Sequence, residues 1–189
     1  MTARADAAAE TGRRIVGAAT GLFLALDYED VTLRAVAERA GVTLQTVIRR
    51  FESQEGLVEA VANELGRDIE RARAVTRPGD VAEAIGLLVG SFEEMGAMNW
   101  RMLRQEHRIP LLHDRLVIGR AIHRAWIEAS FAPMLPKRGR ARERRVLQLF
   151  AATDLYAWKL LRVDLGLPRA EVERLMCDTV TAITAGGAR

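Results

Sequence analysis

One segment near the N-terminus, residues 31–57, constrains the fold of this chain more than any other feature of its sequence. Thr32 is a good N-cap residue, and apolar residues then recur at helical spacing as far as Ala40. Gly41 follows directly, and glycine most easily adopts the left-handed backbone that ends a helix. Thr43 can cap a second short helix. Two short helices joined by a tight glycine turn predict a helix-turn-helix, whose second helix has the right size for the major groove of DNA.

These two short helices carry outward-facing side chains of the types that contact DNA. We expect Arg34 and Arg49 to donate to guanine edges and Gln45 to pair with adenine. Leu44 suits a thymine methyl group, and Thr32, Thr43 and Arg50 suit phosphates. The predicted DNA-binding residues are Thr32, Arg34, Thr43, Leu44, Gln45, Arg49, Arg50 and Gln54. The alternative is that the two helices form a corner of an ordinary helical core, with the arginines solvated.

Residues 11–61 as a whole resemble the DNA-binding domain of the TetR family of bacterial transcriptional regulators. The resemblance is carried by Arg14, Ile15, Ala18, Ala19, Leu22, Phe23, Tyr28, Thr32, Ala37, Ala40, Gly41, Val42, Thr46, Phe51, Ser53, Glu55 and Leu57. It implies a homodimeric, ligand-responsive transcriptional repressor that binds double-stranded DNA at a palindromic operator. The chain departs from the family pattern at Ile48, where a tyrosine is usual, and at Gln54, where a lysine is usual. Both departures remove a group that contacts phosphate.

Those departures leave an alternative from another class of protein open. In that alternative the chain is a helical interaction or small-molecule-binding protein that keeps the helix-turn-helix shape but binds DNA weakly or not at all. Binding to DNA of any sequence at low salt separates the two hypotheses, because only the first requires it. We favour the DNA-binding hypothesis on the combined motifs.

Composition limits the class of fold and the compartment. Proline is scarce, alanine is abundant and no run of alternating β-branched residues occurs, so the chain is predicted to be all-α. The single cysteine, Cys177, excludes an internal disulfide framework and is typical of a reducing compartment. No uninterrupted apolar run is long enough to span a membrane, and no apolar signal core begins the chain. We therefore expect a cytoplasmic protein with no membrane partner.

Net charge is only a weak indication of an anionic partner. The chain carries 28 Lys and Arg against 25 Asp and Glu, a formal net charge of +3. Arginines and acids are equal in number within residues 1–54, so only the local placement of Arg34, Arg49 and Arg50 can create a DNA-facing patch. The densest basic run, residues 137–145, is interpreted as a solvated loop leading into a helix. A second nucleic-acid contact is the alternative.

The sequence contains no recognisable catalytic or metal-binding pattern. His107, His113 and His123 lack the spacing of metal ligands, and Cys177 lies far along the chain from them. No Gly-rich phosphate loop and no GxSxG motif occurs. We therefore expect no enzymatic activity, no metal site and no cofactor.

The order of helical patterns divides the chain into three parts. Residues 1–10 have no periodic apolar face and are predicted to be a flexible arm. Residues 11–54 are predicted to form a three-helix helix-turn-helix domain. Residues 55–189 are predicted to form a larger helical domain for effector binding and dimerisation, with about nine helices in the whole chain. A long helix over residues 53–75 is predicted to connect the two domains.

Capping and breaking residues set the predicted helix ends within the larger domain. Its helices are predicted to begin at Asp80, Pro110, Arg140 and Pro168. The helix that begins at Asp80 is predicted to break near residues 96–99. The helix that begins at Arg140 is predicted to continue to Gly166.

The last two predicted helices have a seam of small and large apolar residues, and such a pair alone buries only one face. The alternative is that the chain's own helices cover both faces. In the TetR family these two helices pair with their symmetry mates in a four-helix bundle, so the resemblance implies a homodimer. The predicted interface comprises Thr153, Ala157, Leu160, Met176, Thr179 and Ile183.

Methionines and aromatic residues are concentrated in the middle helices. Such clusters are more often plain core, yet adaptable, Met-rich interiors also suit a pocket for a flat or apolar molecule. The TetR resemblance implies an effector pocket in this region. Its predicted lining is Phe92, Met95, Met98, Trp100, Met102, His123 and Trp126, with Trp100 and Trp126 flanking the ligand.

Overall fold

A computed structural model describes residues 2–73 and 77–185, with side chains for residues 5–67 and 77–185. Every regular element in this part of the chain is helical, so the all-α prediction is confirmed. The helices are α1 (Thr2–Ala25), α2 (Leu33–Ala40), α3 (Leu44–Phe51), α4 (Gln54–Arg73), α5 (Val81–Gln105), α6 (Pro110–Ser130), α7 (Arg140–Thr153), α8 (Leu155–Lys159) and α9 (Arg169–Ala185). The predicted end of the connecting helix, at Val75, lies outside the described residues.

The first helix begins earlier than predicted. It starts at Thr2, so the described residues of the predicted flexible arm are helical instead. Residues 5–10 are exposed, and no buried apolar stripe drives helix formation there. The alanines of this segment account for the helix, because alanine has the highest intrinsic helix propensity.

A first cluster of buried apolar side chains lies under the N-terminal helices. It joins α1, α2, α3 and the first turns of α4, and its fully buried members include Ile15, Ala19, Val36, Val47 and Leu57. Burying a side chain of the size of Leu57 contributes about 1.5–3 kcal/mol relative to leaving it exposed. The start of α4 is thus part of the N-terminal domain, whereas the predicted boundary falls after residue 54.

A second cluster lies among the C-terminal helices. Its fully buried members include Ile85 on α5, Ile127 on α6, Leu149 on α7 and Val172 on α9. Helix α5 contributes to both clusters, because Met98 near its C-terminal end packs with the N-terminal group. This helix therefore connects the helix-turn-helix region to the C-terminal helices.

The predicted break in α5 near residues 96–99 is wrong, since the helix runs unbroken from Val81 to Gln105. Gly96 lies where the ring of Trp158 packs directly against the backbone of α5. A Cβ atom at this glycine would be only 2.5 Å from Cζ3 of Trp158. Gly96 therefore permits a close approach between two helices instead of ending one.

The predicted continuous helix from Arg140 to Gly166 is also wrong. Helix α7 ends at Thr153, and Asp154 has an extended backbone with ψ 157°. The Asp154 carboxylate then caps α8 by accepting a hydrogen bond from the backbone N–H of Tyr156, at 3.0 Å. Burial raises the pKa of Asp154 above its ordinary value.

Candidate nucleic-acid interface and effector cavity

The turn between α2 and α3 is set by the predicted caps. The Thr32 hydroxyl accepts a hydrogen bond from the N–H of Ala35 at 3.1 Å, and the Thr43 hydroxyl accepts one from the N–H of Thr46 at 3.2 Å. Gly41 has φ 64°, the left-handed conformation that only glycine adopts readily. Both short helices therefore begin, and the first one ends, as the sequence predicts.

Helix α1 also stabilises this turn. Arg14 donates from Nη2 to the carbonyl oxygen of Ala40 at 2.7 Å and to that of Gly41 at 3.2 Å. These carbonyls lie at the C-terminal end of α2, where helical carbonyls have no partner within the helix. The guanidinium supplies that partner and holds the turn against the first helix.

The outer face of α3 presents a short row of side chains to solvent. Gln45, Ile48 and Arg49 are exposed, and their spacing of three and four residues places them on one face. Val47 faces the opposite way and is fully buried. Leu44 is only half-exposed and packs against the N-terminal core. Ile48 is therefore better placed than Leu44 to meet a thymine methyl group, a role that the sequence analysis did not assign to it.

Arg34 and Arg49 differ from Arg13, Arg14 and Arg50 of the N-terminal domain, each of which donates a hydrogen bond within the chain. Both are exposed, and in the described part of the chain their side chains make no hydrogen bond or ion pair. Two unengaged guanidinium groups thus lie on or beside the outer face of the helix-turn-helix. They have the donor geometry that guanine edges require.

Two other arginines lie against α1. Arg50 donates from Nη2 to the carbonyl oxygen of Ala8 at 2.6 Å. A Cβ atom at Gly12 would be 3.0 Å from Nε of Arg50, and one at Gly21 would be 2.9 Å from Nη2 of Arg39. The glycines of α1 thus make room for these side chains. Arg50 is engaged by the first helix, which differs from its predicted contact with a phosphate.

Gln54 has a structural role in this fold, so its assignment as a DNA contact is corrected. Its Nε2 donates to the carbonyl oxygens of Tyr28 and Val31, at 2.6 and 2.8 Å. Both N–H groups of the amide are therefore used, and none remains to donate to a phosphate. These two bonds join the start of α4 to the segment between α1 and α2.

The joint between α3 and α4 depends on a glycine that the sequence analysis missed. Glu52 has φ 64° and ψ −49°, and the N–H of Ser53 donates to the carbonyl oxygen of Phe51 at 2.7 Å, which forms a tight γ-turn. A Cβ atom at Gly56 would lie 2.1 Å from that same carbonyl oxygen. Only glycine fits at this position without moving the backbone.

The segment between α1 and α2 is also held by arginines at and just beyond the end of α5. Arg104 donates to the carboxylate of Asp27 at 3.4 Å. Arg101, one turn earlier on α5, lies 3.9 Å from the same Asp27 oxygen through its Nε. Arg108, in the turn that follows α5, donates to the carboxylate of Glu29.

A cavity of about 500 Å³ lies between α1, α4, α5 and α6. Its wall includes Val58, Val61 and Leu65 of α4 and Met95, Met98 and Met102 of α5. Phe23, Leu26 and Tyr28, at and beyond the end of α1, complete the wall on the N-terminal side. The volume is in the range of pockets that bind small molecules, and the cavity touches the domain that contains the helix-turn-helix.

Four residues of the predicted pocket lie elsewhere, while Met95, Met98 and Met102 do line the cavity. Phe92 packs on Trp158 in the C-terminal core, with ring centroids 5.7 Å apart. Trp100 meets the ring of Tyr156 edge-on at 5.5 Å, away from the cavity. Helical geometry accounts for this, because residues 98 and 100 point about 200° apart around a helix.

His123 and Trp126, the other two, belong to the second core. Their rings stack at 5.2 Å, and Trp126 meets the ring of Phe131 edge-on at 5.7 Å. His123 Nε2 is 3.0 Å from the hydroxyl oxygen of Thr153. The predicted arrangement with Trp100 and Trp126 flanking a ligand is therefore wrong.

The predicted subunit interface divides between buried and exposed residues. Thr153 and Met176 are buried within the chain, so they are corrected to core positions. Ala157 and Ile183 are partly buried, whereas Leu160 and Thr179 are exposed. An exposed stripe on α9 is formed by Leu175, Thr179 and Ala182, and Leu147 and Ala151 are exposed on α7.

The basic run 137–145 is partly engaged by acids of the same chain. Arg142 donates to Glu128 at 3.3 Å, and Glu143 accepts from Arg124 at 2.5 Å. Residues 137–140 remain exposed.

The described residues contain no group of three or more His, Cys, Asp or Glu side chains arranged to hold a metal ion. Among the helices of this part of the chain, none combines the length and the apolarity needed to cross a membrane.

Curated relatives match part of the chain. The HTH-type transcriptional repressor KstR of Mycobacterium tuberculosis is 32% identical over 111 residues, which cover 59% of this chain and 47% of KstR. KstR of Mycolicibacterium smegmatis is also 32% identical over 111 residues, with 50% of its length covered. The uncharacterised regulator YvkB of Bacillus subtilis is 37% identical over 54 residues, 29% of each chain. The chain spans about half the length of the KstR proteins that it matches.

Solved structures share the fold along the chain. A protein assigned to the TetR family from Rhodococcus sp. superposes with a TM-score of 0.72 at 13% identity, covering 93% of this chain and 99% of that one. Another, from Mesorhizobium loti, has a TM-score of 0.68 at 19% identity and covers 95% and 97%. The family model for bacterial regulatory proteins of the tetR family matches residues 15–61. The N-terminal helix-turn-helix domain of this chain is therefore similar to the DNA-binding domain of bacterial regulatory proteins of the tetR family.

Proposed function

We propose that this protein is a sequence-specific DNA-binding transcriptional repressor that acts as a homodimer in the cytoplasm and has no catalytic activity. The observation that carries the proposal is the outer face of α3, where Gln45, Ile48 and Arg49 are exposed together. Side chains that lie outside the core and have no partner in the described part of the chain are available to contact base edges. The repressor assignment is supported by the name of the KstR relatives, which are HTH-type transcriptional repressors.

In the proposed complex, α3 lies in the major groove. Arg49 and Arg34 donate to guanine, Gln45 pairs with adenine, and Ile48 meets a thymine methyl group. The hydroxyls of Thr32 and Thr43 accept the capping bonds through oxygen. The Thr32 hydrogen can still be donated to a phosphate, and so can that of Thr43 when the Thr46 hydroxyl is the donor in the 2.9 Å bond between the two threonines. Leu44 and Arg50 are secondary contacts, because one packs on the core and the other is bound by α1.

The proposed dimer forms through the exposed faces of α7 and α9. Leu147 and Ala151 on α7 and Leu175, Thr179 and Ala182 on α9 supply apolar and small surface for a helical bundle with a second copy. A twofold dimer suits DNA reading, because it presents two copies of α3 to two half-sites of a palindrome.

The proposed effector site is the cavity between α1, α4, α5 and α6. A ligand there contacts α4, whose first turns pack with α3, and also Tyr28, beside the helix-turn-helix. The two copies of α3 can lie at different separations in different conformations of the dimer. A ligand whose binding free energy differs by a few kcal/mol between two such conformations is sufficient to change the fraction of DNA sites that are occupied.

Selection of bound sites from random DNA tests the proposal. The purified protein should enrich a palindrome, and Arg49→Ala should relax base preference within each half-site. Failure of the unmodified protein to retain any DNA at low salt would contradict the proposal, because even non-specific binding requires phosphate contacts. That result would favour the non-DNA-binding alternative.

A further inference from the structure

We propose that the effector is an amphipathic anion, with a hydrocarbon body that ends in a carboxylate. This inference rests on the proposed function, because it concerns the effector of the same regulator. It is drawn from the charges and polarity of the cavity wall.

The cavity wall carries charge of one sign only. Its described lining residues include Arg67, Arg101 and Arg115 but no aspartate or glutamate. A cleft with apolar walls and one sign of charge raises the local concentration of ligands of the opposite sign. A cationic effector would instead be repelled by these guanidinium groups.

The acids that pair with Arg101 and Arg115 are not among the described residues of the cavity wall. Asp27 is 3.9 Å from Nε of Arg101, and Glu59 is 3.4 Å from Nη2 of Arg115. Asp27 and Glu59 are 41% and 60% exposed, so water screens their attraction for the arginines. Both guanidinium groups therefore keep most of their attraction for an anion in the cavity.

The hydrogen-bonding capacity of the two guanidinium groups is also incomplete. Nε of Arg101 and Nε of Arg115 are buried and have no hydrogen-bond partner among the described residues. A guanidinium matches a carboxylate geometrically, because two parallel N–H groups can donate to its two oxygens. An anionic headgroup would thus complete the polar interactions of these side chains.

The remainder of the wall suits a flexible hydrocarbon. Met95, Met98 and Met102 form one side of the cavity, and methionine side chains adapt their shape to an apolar ligand. Aliphatic residues of α4 and α6 face them, among them Val61 and Ile122.

Arg101 couples this site to the DNA-binding domain. Its Nη2 donates to the carbonyl oxygens of Leu24 and Phe23, the latter at 3.3 Å, near the C-terminal end of α1. A carboxylate beside Arg101 competes with those carbonyls for the same guanidinium. Binding of the effector is therefore expected to change how α1, and with it the helix-turn-helix, is held.

The test uses three probes with the same hydrocarbon chain: dodecanoate, dodecanol and dodecyltrimethylammonium. The two ions are kept below their micellar concentrations and dodecanol below its solubility limit. Isothermal titration of the full chain should give at least about tenfold tighter binding of dodecanoate than of dodecanol. The cation should bind more weakly than the alcohol. Dodecanoate should also release the protein from its selected DNA site.

Two variants of the cavity wall and one control variant test whether the preference for dodecanoate arises in this cavity. Arg115→Gln should reduce the affinity for dodecanoate about tenfold and leave that for dodecanol unchanged. Gly119→Asp adds a carboxylate to the wall, where a Cβ atom has nothing within 4 Å, and should reverse the preference toward the cation. Arg138→Gln, on an exposed loop away from the cavity, is the matched control and should change neither affinity. Circular dichroism verifies that each variant is folded.

Equal affinities for dodecanoate and dodecanol would overturn the inference, as would an unchanged preference in both Arg115→Gln and Gly119→Asp. Either result would leave the proposed function intact, provided that the protein still binds its selected DNA site. Absence of DNA binding in the protein without ligand would instead contradict the proposed function, whatever the cavity binds.

Discussion

Arg101 on α5 donates a hydrogen bond from Nη2 to the carbonyl oxygen of Leu24, the residue before the last residue of α1. The last carbonyls of a helix have no partner within the helix and carry the negative end of its dipole. A guanidinium at this position donates to the unpaired carbonyls and also places a positive charge at the negative end of the dipole. Because Arg101 also lines the cavity, one side chain contacts the DNA-binding domain and the proposed effector site.

Replacing Arg101 by glutamine should lower the free energy of unfolding by about 1–3 kcal/mol, because a charge-assisted bond to partly buried carbonyls is lost. Urea unfolding followed by circular dichroism measures the change. Arg104→Gln is the matched control, one turn further along the same helix. Its partner, Asp27, is exposed, so its loss should cost no more than about 1 kcal/mol. Equal effects of the two substitutions would contradict a special role for Arg101.

Gly56→Ala should strongly destabilise the N-terminal domain. The added Cβ atom would lie 2.1 Å from the carbonyl oxygen of Phe51, so α3 and α4 must move apart. Overpacking of this kind typically costs about 1–3 kcal/mol, and loss of DNA affinity should accompany it. Gly86→Ala, on α5 with nothing within 4 Å of its Cβ position, should be neutral or slightly stabilising. Thermal unfolding of both variants tests this contrast.

Arg49 and Arg50 are neighbours in the sequence, yet we expect different effects on DNA binding. Arg49→Ala should cost roughly 1–3 kcal/mol on the selected operator and much less on random DNA, because a base contact is lost. Arg50→Ala should leave base preference unchanged, because this side chain is bound to the carbonyl of Ala8. Fluorescence anisotropy with operator and random duplexes measures both. A change of base preference in Arg50→Ala would contradict the assignment.

Leu175→Glu should convert the proposed dimer to a monomer. The substitution places an unpaired charge in the exposed apolar stripe of α9, and burying such a charge in an interface costs several kcal/mol. Thr181→Glu adds the same charge on the opposite side of α9, where the residue is also exposed, and should leave the dimer intact. Sedimentation velocity at micromolar concentration distinguishes the two states. A monomeric unmodified protein under these conditions would contradict the dimer itself.

The ion pair between Glu106 and Arg120 should make stability depend on pH. Glu106 accepts from both Nη atoms of Arg120, at 2.6 and 2.7 Å, and these bonds lower its pKa from the ordinary 4.5. The pKa of Glu106 is lower in the folded state than in the unfolded state. The ion pair therefore contributes fully to stability at pH values above the unfolded-state pKa, and this contribution is lost as the pH falls through the folded-state pKa. Stability should therefore decrease below about pH 4.5.

Glu106→Gln should lower the free energy of unfolding at pH 7 by about 1–3 kcal/mol and flatten this acid dependence. Glu143→Gln, in the more exposed pair with Arg124, should have a smaller effect because water screens that interaction. Urea unfolding at pH 7 and at pH 4 measures both variants. If the free energy of unfolding of Glu106→Gln decreases between pH 7 and pH 4 as much as that of the unmodified protein, the pH dependence arises from other carboxylates.

Local signals in the sequence were sufficient for the helix-turn-helix. The caps at Thr32 and Thr43 and the glycine turn at Gly41 involve hydrogen bonds that span no more than a few residues. Asp80 likewise caps α5 through the N–H of Glu83, and Pro110 begins α6, as predicted. Interactions of this range are encoded in residue type and spacing alone. The all-α class follows from the same patterns.

The sequence alone could have excluded one member of the predicted pocket. Met98 and Trp100 cannot share a face of a straight helix, since they point about 200° apart. The predicted break near residues 96–99 concealed this relationship. The break itself could not be tested without the fold, because the partner that requires Gly96 is Trp158, which is distant in the sequence.

Residue type, capping geometry and periodicity therefore determined where the helices of the DNA-binding domain lie and which faces they bury. Only the tertiary structure decided that Gln54 binds the backbone at Tyr28, that Arg50 lies on α1, and that the cavity lies between α1, α4, α5 and α6. The physical reason is the separation along the chain between the residues that interact. A cap is formed by neighbours along the chain, whereas the partner of a long polar side chain and the shape of a cavity depend on how distant helices pack.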